Sequence, residues 1–179
     1  MRPDRVARGA VLVAGAVGLL ALALWPVEVI TIRLSGSADG PAAVVKAEPG
    51  AGLSLTYRHS VELSLVKGVF RVGPGPALYA VETRMEGVGT GLPNAAPERS
   101  RREGPWLVVD EGGRRLEGGI RFFLSPINRL QVEAAGREID LTGIRSGGLL
   151  LINAERIGRW RLVLGRVLGR WRPGKGGGG

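Results

Sequence analysis

Hydrophobic and polar positions divide the chain into three textures. Gly9 to Trp25 is an unbroken run of 17 residues without a charge, rich in Ala, Leu, Val and Gly, and Arg2, Arg5 and Arg8 precede it. With no polar face it does not read as a helix packed on a domain. Its length stands at the short limit of a span, which takes roughly 17–25 apolar residues. Two readings stay open: a retained anchor with Trp25 at the outer interface, or a signal peptide cut near Ala21-Leu22-Ala23. Both leave the arginines cytoplasmic and send the chain beyond Trp25 outward.

From Pro26 the pattern turns to short β-branched runs with partial alternation. They are Val27–Leu34, Leu53–His59, Val66–Val72, Ala77–Glu86, Trp106–Asp110, Gly119–Leu124, Arg129–Ala134, Arg137–Leu141 and Leu149–Asn153. Clusters such as Pro49-Gly50, Gly73-Pro74-Gly75-Pro76 and Glu111-Gly112-Gly113 break them, and Ala135-Gly136 predicts a tight hairpin. Short strands with frequent turn signals predict an all-β fold, a single antiparallel sandwich or barrel-like domain. The polar stretch Leu92–Gly104 reads as a solvated loop.

The third texture is Glu155–Arg172, which predicts a C-terminal amphipathic basic helix. At 100° per residue, Ile157, Trp160, Val163, Leu164, Val167, Leu168 and Trp171 fall in one arc. Arg159, Arg166 and Arg170 fall opposite, and Leu162 is the one apolar outlier. Three outcomes compete: the membrane surface or a membrane partner, with Trp160, Leu164, Leu168 and Trp171 inserted and the arginines on lipid phosphates; the domain's own sheet; or disorder. Gly158, Gly165 and Gly169 lower its stability in water. The organisation expected is thus 1–26 as signal anchor or signal peptide, 27–153 as the β-domain, and 154–179 as a basic tail with a structureless Gly-rich end.

Charge sharpens this picture. The formal net charge is +9, yet residues 1–8 carry +2 and residues 154–179 carry +6. Residues 9–153 hold 15 basic and 14 acidic side chains, so the domain is nearly neutral. Charge at ends that flank apolar stretches points to lipid phosphates and away from nucleic acid. With no cysteine and one histidine, a disulfide scaffold and a thiolate zinc site are excluded.

Candidate chemistry concentrates in Tyr57-Arg58-His59-Ser60-Val61-Glu62. A histidine and a serine suggest a base and a nucleophile, but neighbours on a strand face opposite ways and no nucleophile elbow surrounds Ser60. No residue is therefore assigned a catalytic role, and neither a metal nor a cofactor is assigned. A weaker alternative is a small-ligand or metal-binding module using His59 with Glu62 or Glu82. Gly87-Val88-Gly89-Thr90-Gly91-Leu92-Pro93 echoes a phosphate loop but opens no helix, so it reads as turn geometry or a surface that a partner approaches closely.

Four motifs in order resemble an uncharacterised bacterial family, domain of unknown function 1850 (DUF1850). They are Tyr57–Glu62, Val69-Phe70-Arg71-Val72, Tyr79-Ala80-Val81-Glu82-Thr83-Arg84 and Gly89–Pro93, with Gly104-Pro105-Trp106 similar to a later element. The resemblance runs from about Val29 to Asn153. Thr90 replaces the usual Ala, Lys67-Gly68 stands where acidic residues are common, and the basic tail lies outside the pattern. The resemblance singles out His59, Ser60, Glu62, Glu82, Gly89, Gly91 and Pro93 as candidate binding residues. It also implies small exported or anchored proteins encoded beside tripartite (TRAP) periplasmic transporters of the TAXI type. The expectation is a non-enzymatic accessory domain on the outer side of the cytoplasmic membrane. Its expected partners are the membrane lipids and a transporter permease or its solute-binding protein.

Overall fold

A computed structural model describes residues 3–36, 40–87, 97–141, 146–167 and 175–176, without the side chains of 3–10, 97, 166, 175 and 176. The apolar run forms helix α1 (Pro3–Leu24), and β1 (Pro26–Leu34) starts almost immediately after it. Then come β2 (Ala43–Lys46), β3 (Gly52–Arg58), β4 (Leu65–Val72), β5 (Leu78–Glu86), β6 (Ser100–Glu103) and β7 (Trp106–Leu116). β8 (Ile120–Phe123), β9 (Gln131–Ala134), β10 (Arg137–Ile139) and β11 (Leu149–Gly158) complete the domain, followed by α2 (Arg159–Val167) and the short β12 (Lys175–Gly176).

The all-β expectation holds: two antiparallel sheets stack as an open sandwich. One sheet has the order β2-β1-β11-β8 and the other β12-β10-β9-β3-β4-β5-β7-β6. Alternation places Ile30, Ile32, Leu150 and Ile152 of the first sheet against Leu53, Leu55, Val132 and Leu78 of the second, all nearly inaccessible to water. The first and last long strands, β1 and β11, pair along their whole length from Pro26–Gly158 to Leu34–Leu150. This closes the domain on residues far apart in sequence.

Several sequence expectations are corrected. The Trp106–Asp110 run does not stop at Glu111-Gly112-Gly113. Gly112 and Gly113 take φ of 65° and 67°, and their segment bulges opposite the Ala80–Glu82 step before pairing resumes at Arg114. Within the polar run Leu92–Gly104, read as a loop, Ser100–Glu103 forms β6, an edge strand whose charges suit an edge. β2 was missed: its four residues follow the Ser35–Pro41 break, too short to show a period. Glu155–Gly158 is strand rather than helix, because it pairs with Pro26–Val29. The Gly-rich end is not wholly without structure, since Lys175–Gly176 pairs with Arg137–Glu138. The Ala135-Gly136 hairpin stands as expected, both residues at positive φ.

Among the described residues no helix is long and apolar enough to cross a membrane. From Gly9, where the uncharged run begins, to Leu24 the helix rises about 24 Å, against a hydrocarbon core of ~30 Å.

Candidate functional site

Among the described residues, the exposed large apolar side chains fall in two places. One is the helical end, with α1, Trp25 and α2. Outside it, the exposed large apolar side chains among the described residues are Val61 (81% exposed), Leu63, Phe123 and Ile127. Val61 and Leu63 lie on the loop after β3, Phe123 at the end of β8 and Ile127 on the loop that follows it, all at the opposite end of the sandwich. Phe123 pairs with Leu149, and Gly158 beside α2 is nine residues further along β11. At 3.3–3.4 Å per residue the two ends are about 30 Å apart.

The first loop is the motif that comes after β3. His59 N–H donates to Ser64 O at 2.8 Å and Leu63 N–H to His59 O at 2.9 Å, closing one helix-like turn. Leu63 ends the turn at φ 56°, a region costly for a branched side chain without local hydrogen bonding. The Arg58 guanidinium donates to Leu63 O at 2.8 Å and helps hold it there. His59 Nδ1 accepts a long bond from Glu62 N–H at 3.4 Å, which leaves the neutral ring's proton on Nε2. Ser60 is exposed, and His59 and Glu62 are half-buried. Among the described residues no hydrogen bond joins the His59 ring to the Ser60 hydroxyl, so a base–nucleophile pair is not assembled.

The second loop is built on Asn128, one of two buried polar residues of the described chain. Its Oδ1 accepts from Ser125 N–H at 3.1 Å and its Nδ2 donates to Phe123 O at 2.8 Å. Its N–H donates to Ser125 Oγ at 3.3 Å. Its carbonyl accepts from Arg58 N–H at 2.8 Å, which ties this loop to the first. Below the junction Tyr57 meets Phe122 edge-on, ring centroids 4.9 Å apart, and burial pushes the Tyr57 phenol up so that it stays neutral. The rim carries exposed Arg58, Arg121 and Arg129.

Glu82 lies elsewhere. It pairs through Val69 with Ser54, five residues before His59 on β3, or about 17 Å along the strand. It faces outward from the large sheet, its side chain only 15% exposed, between Arg84 Nε at 2.6 Å and Arg101 Nη2 at 3.1 Å. Glu103 joins both arginines, at 2.7 Å to Arg101 and 3.5 Å to Arg84. Burial pushes the Glu82 carboxyl up, but the hydrogen bonds and charges of Arg84 and Arg101 outweigh it and hold the group below the usual carboxylate range. The structure therefore does not bring Glu82 to His59 and Glu62. No group of three or more candidate metal ligands forms among the described residues. Gly89, Gly91 and Pro93 lie outside the described residues. β5, which leads towards them, ends at the His59 end: Met85 pairs with Val66, and Val66 with Tyr57.

At the helical end, α2 buries Leu162 with Val27, Val29 and Val44 on the outer face of the small sheet. The expected apolar arc is not what the domain covers. Trp160, Val163, Leu164 and Val167 stay exposed beside Leu19 and Leu22 of α1. Arg159 is exposed, and the Arg161 guanidinium sits 5.6 Å from the Trp160 ring centre. Leu168, Arg170, Trp171 and the Arg166 side chain lie outside the described residues.

Sequence reasoning missed Asn128, Phe123, Ile127 and Leu63. A lone Asn in a Ser-Pro-Ile-Asn stretch signals a turn but not that its bonds reach across to Arg58.

Residues 53–141 match the family model described as Domain of unknown function (DUF1850). Through this stretch, which spans β3 to β10, the chain belongs to the DUF1850 family. β1, β2 and β11, which complete the small sheet, lie outside the match. No curated protein and no solved structure matches the chain.

Proposed function

We propose that this protein is an accessory domain held at the outer face of the cytoplasmic membrane, and that it works by protein contact rather than by chemistry. The observation that carries the reading is the two-ended distribution of apolar surface. One end has the helical attachment; the other presents Val61, Leu63, Phe123 and Ile127 about 30 Å away. A solitary exposed Leu or Val needs no explanation, but four on two segments tied together by Asn128 and Arg58 form a pre-organised contact face. A leucine held at positive φ costs folding stability that a glycine would not, which favours a role for its side chain outside the fold.

The resemblance to DUF1850 supplies the partner: a TRAP-type transporter permease or its solute-binding protein, met by this end. The arginines around the apolar face suit a partner surface with an acidic rim. The nearly neutral domain gives nucleic acid no basic footprint.

The test is Val61→Asp and Phe123→Asp in a host that depends on the transporter. Both sites are exposed, so the folded protein should persist at its usual level while solute uptake falls to that of the deletion strain. Unchanged uptake with both variants, or no effect of the deletion itself, would overturn the reading.

A further inference from the structure

We infer that α2 is a lipid-facing collar, clamped to the β-domain by Leu162, that seats its apolar arc and its arginines on an anionic membrane surface. The inference rests on the membrane attachment proposed above and adds where the membrane lies on the domain.

A helix that packs on its own sheet turns its widest apolar face inward. α2 does the reverse. The single apolar residue outside the arc, Leu162, is 7% exposed among Val27, Val29 and Val44. The arc itself remains open: Trp160 is 44% exposed and Val167 75%. That face is continuous with α1, where Leu19, Leu22 and Ala23 line the same groove as Trp160, Val163 and Leu164. The two helices are also joined through the backbone, since Arg159 N–H donates to Trp25 O at 3.1 Å. Gly158 belongs to the same joint. A Cβ there would lie 2.9 Å from Cδ1 and Nε1 of Trp160, so glycine lets the indole lie against the chain near the end of α1.

The occupant is set by chemistry. The groove continues a helix whose described side chains are apolar on every side, and Arg159 is the one charged residue in its otherwise apolar lining, which suits a lipid with its headgroup more than a polar solute. Tryptophans with arginines beside them suit the headgroup boundary: Trp25 and Trp160 are both exposed here, and Arg159 and Arg161 stand ready for phosphates. The sequence continues with Arg166, Arg170 and Arg172. Because Leu162 pins α2 to β1 and β2, the collar would fix the tilt of the domain and hold the Val61–Phe123 end away from the bilayer.

The natural absence of cysteine makes a direct test clean. Full-length protein carrying one spin label, at Val163→Cys, Leu20→Cys or Val61→Cys, is reconstituted in vesicles of phosphatidylglycerol and phosphatidylcholine. Collisions with oxygen and with a water-soluble nickel complex are then compared. All three sites are more than half exposed, so the fold should tolerate the label. The expected result is an oxygen-favoured ratio at Val163→Cys approaching that of Leu20→Cys, and a nickel-favoured ratio at Val61→Cys. Arg159→Gln with Arg161→Gln should move Val163→Cys toward water. A nickel-favoured Val163→Cys beside an oxygen-favoured Leu20→Cys overturns the collar and leaves the attachment standing. Nickel-favoured ratios at both overturn the attachment itself. A Val163→Cys label immobile and shielded from both reagents also overturns the collar, and makes a protein the cover of α2.

Discussion

Asn128 is where the contact face can be tested by a change that touches none of its exposed side chains. Asn128→Ala removes two side-chain hydrogen bonds, to Ser125 N–H and to Phe123 O, and strands both partners at part-buried positions. Each bond is worth about 1 kcal/mol net, and stranding the partners adds to this, so a loss of about 2–3 kcal/mol is expected. For a domain of this size that lowers Tm by roughly 6–15 °C. Asn128→Asp separates the two bonds. An aspartate still accepts from Ser125 N–H, but only its protonated form can donate to Phe123 O. Burial and that donation raise the folded-state pKa above the unfolded value. The variant's stability should then be fully present below the unfolded aspartate pKa of ~3.9 and be lost as pH rises through the higher folded value. Thermal unfolding of the full-length protein in mild detergent, followed by circular dichroism between pH 4 and 8, reads both effects. A Tm within about 3 °C of wild type for Asn128→Ala, or an Asn128→Asp variant no steadier in acid, would refute the clamp.

Leu63→Asn should leave stability unchanged or raise it by up to ~1 kcal/mol, since Asn tolerates positive φ, while capture of the partner weakens; denaturant titration and pull-down check the two halves. Glu82→Gln should cost about 1 kcal/mol at pH 7, kept modest because both arginine partners are partly exposed. The Glu82 carboxyl is held low in the folded state, so its contribution is present above the unfolded carboxylate pKa of ~4.3 and lost as pH falls through the folded value. The gap between wild type and variant should close in acid in urea titrations at stepped pH. Leu162→Ala should cost about 2–3 kcal/mol, the lower part of the buried-leucine range, because its cluster is small and at the rim, whereas Val163→Ala should cost under ~0.5 kcal/mol; the same titrations compare them.

The fold was legible wherever a strand carried its own period. β1, β3, β4, β5 and the Ala135-Gly136 hairpin could be read from alternation and turn chemistry. What escaped was set by partners distant in sequence. Ser100–Glu103 is too charged to look like a strand, and becomes one because Arg101 can reach Glu82 and Glu103 from the sheet edge. Glu155–Gly158 fits a helical arc as well as a strand, and only the register with Pro26–Val29 decides it. The site was half legible. His59, Ser60 and Glu62 stood out as polar residues, yet the side chains that define the exposed end are their apolar neighbours Val61 and Leu63. Phe123, at the end of β8, and Ile127, on the loop after it, come some 60 residues later and join only in the folded chain. Glu82 was grouped with His59 by residue type, and the sheet register separates them.

The most direct measurement of the central claim is site-specific photocrosslinking in native membranes. A photoreactive residue is placed at Val61, at Phe123 and, on the outer sheet face, at Lys67, and the adducts are identified by mass spectrometry. The account predicts adducts with a transporter permease or its solute-binding protein from Val61 and Phe123, and none from Lys67. The same adducts from Lys67 alone, or no adduct from either Val61 or Phe123 in membranes where the transporter is intact, would contradict it.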